Sequence, residues 1–183
     1  MGRLIPFTLL TRTYDWFNGY DYFKEALLSL LQLEDEILML GCGNSSKKFK
    51  KIKTWFSCSP LAVSERLYQD GFERIVNVDY SAAVIEQMSR RCAQSCPKMC
   101  WITADFRNME VLNDDSFSVV LDKGSLDALW SDGGSQWSPS EAVLTDINAT
   151  LREALRVLKR PGGRFISITF GQPHFRLPFM QRE

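Results

Sequence analysis

No apolar run in this chain of 183 residues approaches the roughly 20 that a membrane-spanning helix needs. Neither sign of charge is in excess: 22 basic and 22 acidic side chains cancel. No global field therefore draws the chain to nucleic acid or to an anionic membrane, and neither is an expected partner. Internal repeats and low-complexity tracts are absent. A convincing secretory signal is missing too, because residues 1–10 (MGRLIPFTLL) are apolar but short and carry no small-residue cleavage site. The five cysteines, Cys42, Cys58, Cys92, Cys96 and Cys100, are odd in number, which fits free thiols in a reducing compartment better than a disulfide framework. Cys92, Cys96 and Cys100 recur every four residues, but Pro97 breaks the helical spacing and no nearby His completes a set, so no metal is expected. The compartment expected is the cytoplasm. The mitochondrion is the alternative, since Arg3 and Arg12 lie in the opening stretch without a clear amphipathic transit helix.

What the chain does contain is a short apolar run, Ile37-Leu38-Met39-Leu40, opening into Gly41-Cys42-Gly43. A buried parallel strand enters a nucleotide-binding turn in this way. Glycine tolerates positive φ and lacks a Cβ, so backbone can turn sharply and approach a ligand closely. The next strand (RIVNV, 74–78) ends in Asp79, an acid placed to accept hydrogen bonds from both hydroxyls of a ribose. Asp79-Tyr80-Ser81 also reads as a helix start, and the two roles are compatible. A dinucleotide fold usually has a third glycine at the sixth position of the turn, where this chain has Ser46. That substitution favours S-adenosylmethionine, which has no phosphate to cradle, over NAD.

The remaining pattern alternates strands and helices. Helices are expected over 20–33, 61–70, 81–92, 125–130 and 140–158, and strands over 99–104, 117–121 and 164–170, with 133–135 as a flexible link. The result is a single α/β domain over 1–183, a doubly wound, Rossmann-like parallel sheet of five strands. Asp105, at the tip of the third strand, serves either the ligand edge or a loop turn, with Phe106 beside it. Asp122 and Lys123 follow the fourth strand, where they line the cofactor edge or pair with neighbours. Residues 47–60 (KKFKKIKTWFSCSP) hold five lysines and no acid. Asp79 follows Gly41 by 38 residues, and leaving out these 14 brings the interval to 24, near the usual 20, so the segment reads as a basic insertion. It is a solvated loop or a patch for an acidic partner or RNA, with Trp55 and Phe56 available for stacking.

Taken together, GCGNS, NVDYS, VVLDKGSLDAL, RVLKRPGGRFISITF and QPHFR resemble the seven-strand S-adenosylmethionine-dependent methyltransferases, within them the methyltransferase-like group that methylates protein lysines. The likeness covers most of 14–176 apart from 47–60. Partly through YDWFNGYD, it resembles more narrowly the lysine methyltransferases of translation elongation factor 1-alpha, with those of citrate synthase as a sister set. The resemblance implies S-adenosylmethionine as cofactor, a protein substrate such as elongation factor 1-alpha, and a monomer. Carried over by position, Trp16 packs near the cofactor, and Gly41 and Gly43 form the first contact loop. Asp79 holds the ribose while Tyr80 flanks the adenine. Asp105 and Phe106 surround the base, and Lys123 lies at the active-site edge. The group also has an aromatic segment upstream of the DWF motif and two antiparallel strands after the fifth. Both are expected to be missing here, through a truncated C-terminus in the second case, which leaves cofactor binding better supported than turnover. A catalytically impaired binding module and, less favoured, an NAD-linked oxidoreductase are the alternatives.

Overall fold

The computed structural model describes residues 7–11, 20–43, 62–131, 134–135, 138–169 and 171–180. The strand Ile37–Leu40 (β2) is buried along its whole length, the signature of a parallel strand covered on both faces. Its side chains alternate between two layers. Ile37 and Met39 enter one core with Leu27, Leu67 and Met88, whereas Leu38 and Leu40 enter the other with Leu126, Ile147 and Ala154.

β2 pairs in parallel with Ile75–Asp79 (β3) on one side and Val119–Lys123 (β5) on the other. Beyond them lie Cys100–Thr103 (β4), beside β3, and Arg164–Thr169 (β8), beside β5. A further strand, Phe7–Thr11 (β1), pairs in parallel with β8 and completes a six-stranded sheet of order β1-β8-β5-β2-β3-β4. The chain thus runs outward from β2 through β3 to β4, then crosses back to β5 and β8. The gap between β2 and β5 is the switch point at which open α/β sheets bind ligands. Helices Lys24–Leu28 (α1), Val63–Gln69 (α2) and Ala82–Cys92 (α3) cover one face. Ser125–Ser131 (α4) and Glu141–Val157 (α5) cover the other, and Pro173–Met180 (α6) follows β8. Among the described residues, no helix is long and apolar enough to cross a membrane.

Four expectations change. No strand was expected in the opening stretch, yet β1 runs alongside β8 in register from Phe7↔Phe165 to Thr11↔Thr169. The helix expected over 20–33 is α-helical only at Lys24–Leu28. It ends early because the Arg164 guanidinium takes the Leu30 carbonyl at 2.6 Å while pairing with Asp35, whose carboxylate also accepts the Gln32 amide at 2.7 Å. The fourth strand runs over 119–123 rather than 117–121. Phe117 instead exchanges backbone bonds with Val157 and Lys159, which draws it into the end of α5. Finally, Gly134–Ser135 (β6) pairs antiparallel with Ser138–Pro139 (β7), where a flexible link was expected.

Candidate functional site

The turn after β2 is locked onto the tip of β3. Cys42 donates its amide to the Val78 carbonyl at 3.1 Å, and Gly43 donates to Asp79 Oδ2 at 3.0 Å. The other carboxylate oxygen, Oδ1, accepts the Ser81 amide at 2.9 Å. Asp79 is therefore both a loop clasp and a helix-start residue, and each oxygen keeps a second lone pair for a ligand hydroxyl. Gly41 and Gly43 sit at φ of +57° and +55°, where residues with a Cβ are strained. At Gly41 space is lacking as well: a Cβ would stand 2.2 Å from Ser125 Oγ, whose hydroxyl donates to the Leu40 carbonyl at 2.9 Å.

A cavity of about 510 Å³ opens over this clasp, lined by Gly41, Asp79, Tyr80, Asp105, Phe106 and Lys123 among others. The structure thus brings together six of the eight site residues expected from sequence. Gly43 supports the cavity through Asp79 rather than lining it. Trp16 lies outside the described residues, as do Ser46 and the basic segment 47–60. Tyr80 is 76% exposed at the rim, free to lie against a flat ring.

Asp105 lines the cavity and also starts a loop turn. Its carboxylate accepts the Arg107 amide at 2.9 Å and forms a forked pair with the Arg107 guanidinium, which holds its pKa below the usual carboxylate range. Arg107 also donates to Asp146 on α5 at 2.9 Å. Asp122 and Lys123, adjacent in sequence, part company. Asp122 is fully buried and its pKa is pushed up to about 6 by desolvation, although Ser167 Oγ and the Ser125 and Leu126 amides oppose the rise. It fastens the start of α4 and does not line the cavity. Lys123 does line it: solvent still reaches one side, while crowding by the pocket wall lowers its pKa against the pull of Asp122 and Asp127. Burial, then the Asp79 charge, pushes the Cys42 thiol up to about 12, so it is no nucleophile at neutral pH. The cysteines spaced by four do separate work, Cys92 buried with its thiol on Glu65 Oε1 and Cys100 exposed on β4. Among the described residues, no group of three or more His, Cys, Asp or Glu side chains is placed to hold a metal ion.

Sequence reasoning missed Arg107, Ser125, Leu129 and Asp146 as lining residues. Arg107 had a visible signal, a cation two positions from an acid. Ser125 and Asp146 had none, because only the pairing of β2 with β5 and the packing of α5 bring them to this edge.

A doubly wound parallel sheet, with a strained glycine turn clasped by the acid at the neighbouring strand tip, is the Rossmann-like fold of the class I methyltransferases. Residues 34–177 match the family described as methyltransferase domain, and the chain belongs to that family. It is similar to mouse (Mus musculus) EEF1A lysine methyltransferase 4, 38% identical over 164 residues, 90% of this chain and 57% of that protein. It is also similar to bovine (Bos taurus) eEF1A lysine and N-terminal methyltransferase, 34% identical over 89% of this chain and 20% of that protein. The chain thus spans little more than half of the first relative and a fifth of the second. Among solved structures, the CcbJ methyltransferase from Streptomyces caelestis superposes with a TM-score of 0.56 at 17% identity, covering 81% of this chain and 49% of that one. The cofactor of the family is S-adenosylmethionine. The site fits it: a turn that excludes a Cβ gives close backbone approach, Asp79 retains acceptor capacity for two sugar hydroxyls, and Tyr80 and Phe106 offer ring faces.

Proposed function

We propose that this chain is an S-adenosylmethionine-dependent protein-lysine N-methyltransferase acting on translation elongation factor 1-alpha. The observation that carries the proposal is the cavity over Gly41 and Asp79, on a chain that shares 38% identity with a relative named for this reaction. When bound, the cofactor supplies a methyl group on a sulfonium, activated for in-line displacement. The residues of the chain bind and align. Asp79 orients the sugar, Phe106 and Tyr80 confine the base, and Gly41 sets how deep the ligand sits. Such positioning is worth up to roughly 7–11 kcal/mol in well-oriented reactions. The target amine must shed its proton before it attacks, and no general base is assigned. We further place the protein in the cytoplasm as a monomer, in keeping with the free Cys42, Cys92, Cys96 and Cys100.

The test has two arms. Calorimetry with S-adenosylhomocysteine should show binding that Asp79→Asn weakens, and labelled S-adenosylmethionine should transfer label to a lysine of purified elongation factor 1-alpha. Binding without transfer to that protein would remove the substrate assignment, and absence of binding would remove the enzyme assignment altogether.

A further inference from the structure

Of the described residues that line the cavity, Lys123 is the only amine. The other cation there, Arg107, is held between Asp105 and Asp146, and a guanidinium is no nucleophile at neutral pH. Lys123 is differently placed. It is the last residue of β5, at the carboxyl edge beside the β2 turn, and no described residue forms a hydrogen bond or ion pair with its Nζ. Asp122 and Asp127 act on it only through their fields, and desolvation outweighs both, so the neutral amine is easier to reach than on an ordinary surface lysine. A lysine whose amine has no described partner therefore lines the same cavity as the Gly41–Asp79 clasp.

We propose that Lys123 is itself a methyl acceptor, modified in cis by the donor bound over Gly41 and Asp79. This rests on the methyltransferase reading above. The Nζ lone pair attacks the sulfonium methyl carbon, forming an N–C bond as the C–S bond breaks. Sulfur keeps the bonding pair and leaves as a neutral thioether, while the proton on Nζ passes to solvent. A methylated Lys123 is bulkier and has fewer N–H donors, so it narrows the cavity and slows transfer to a protein substrate. The modification thus limits the enzyme that makes it, and substrate protects against it by competing for the methyl.

The full chain is incubated with S-adenosylmethionine, and its intact mass and Lys123-containing peptide are followed. We expect methylation on Lys123, at a first-order rate independent of chain concentration, slowed by added elongation factor 1-alpha and abolished in Lys123→Arg. A second readout on the wild-type chain needs neither turnover nor a variant. An amine-acylating reagent should label Lys123 faster than the exposed lysine Lys98, which is paired with Glu73, and S-adenosylhomocysteine should protect Lys123 several-fold. If S-adenosylhomocysteine binds but Lys123 is neither methylated nor protected, this inference is overturned while the proposed function stands. A rate that grows with chain concentration overturns the cis assignment. Failure to bind S-adenosylhomocysteine overturns the proposed function and this inference with it.

Discussion

Replacing Gly41 by alanine tests whether the glycine turn is required by its surroundings. Two costs can be worked out. Alanine at φ +57° pays the penalty of the left-handed region, about 1–2 kcal/mol. Its Cβ would also stand 2.2 Å from Ser125 Oγ, so the hydroxyl must move off the Leu40 carbonyl, forfeiting a hydrogen bond of about 1 kcal/mol. The sum, about 2–3 kcal/mol, lies within the 5–15 kcal/mol of an ordinary domain, so the variant folds and can be measured. For a chain of 183 residues it lowers Tm by about 5–10 °C. Urea unfolding of Gly41→Ala, Ser125→Ala and the double variant separates the two costs. Ser125→Ala alone loses only the hydrogen bond, about 1 kcal/mol. In the double variant the overlap with Oγ is gone and that bond is lost once rather than twice, so the cycle should show a coupling of about 1 kcal/mol. Gly41→Ala within about 0.5 kcal/mol of wild type, or a strictly additive double, would refute the contact, since additivity holds for independent sites.

Asp79→Asn replaces an acceptor of two amide bonds by a group that turns a donor towards one of them, so unfolding should cost about 1–3 kcal/mol less free energy. Affinity for S-adenosylhomocysteine should fall at least about ten-fold, and undiminished affinity by calorimetry would reject the ribose role. The pH dependence follows from Asp122, whose pKa of about 6 in the fold stands above its usual 3.8. The fold then binds the extra proton between these values, so this group stabilises at low pH and its contribution is lost as pH rises from about 4 to 6, a loss of roughly 3 kcal/mol. Glu36 works in a lower window: its pKa is depressed from 4.5 to about 2, chiefly by Lys159, so its stabilisation is lost only as pH falls through that range. Asp122→Asn should flatten the decline between pH 4 and 6 in denaturant titrations, and an unchanged slope would remove Asp122 as its source. Arg176→Met removes the charged partner of Asp127 where both side chains are 1% exposed and leaves it the Thr169 hydroxyl, and breaking such a buried pair costs about 3–5 kcal/mol, measured by urea unfolding. A loss below about 1 kcal/mol, as for a surface pair, would mean that the pair is not buried in solution.

Much of the sheet could be read in advance because period and punctuation agreed. Ser81 and Ser140 cap α3 and α5, each accepting the amide three residues on, and Gly71 closes α2 at φ +103°. The misses share a cause, which is a backbone group claimed from far along the chain. Leu30 could continue its helix until Arg164, 134 residues later, takes its carbonyl. Phe117 has the apolar character of a strand residue, yet its amide and carbonyl are used by Val157 and Lys159. Conversely, Asp122 is a poor strand residue by type and still lies within β5, because Ser167 on the adjacent strand and the first amides of α4 satisfy its buried carboxylate. Gly41 and Asp79 could be paired from sequence since both sit at strand tips one βαβ unit apart. Ser125 could not, for its link to Leu40 spans 85 residues.

These long-range bonds also explain why the motif after β8 matters to a cavity it does not line. Asp122 holds the start of α4 from the sheet, and Ser125, the first residue of that helix, holds the glycine turn through Leu40. Two residues further along α4, Asp127 accepts from Thr169 Oγ1 at 2.5 Å and from Arg176 at 3.1 Å, while the Arg176 guanidinium lies over the Trp130 ring at 4.6 Å. Gly171 makes room for that guanidinium, since a Cβ there would stand 2.6 Å from Arg176 Nε. The helix α4 is thereby pinned to β2 and β5 at its start and to β8 and α6 along its body. The position of Ser125 against Gly41, and with it the depth of the cavity floor, is set by buried polar contacts that are costly to leave unmade.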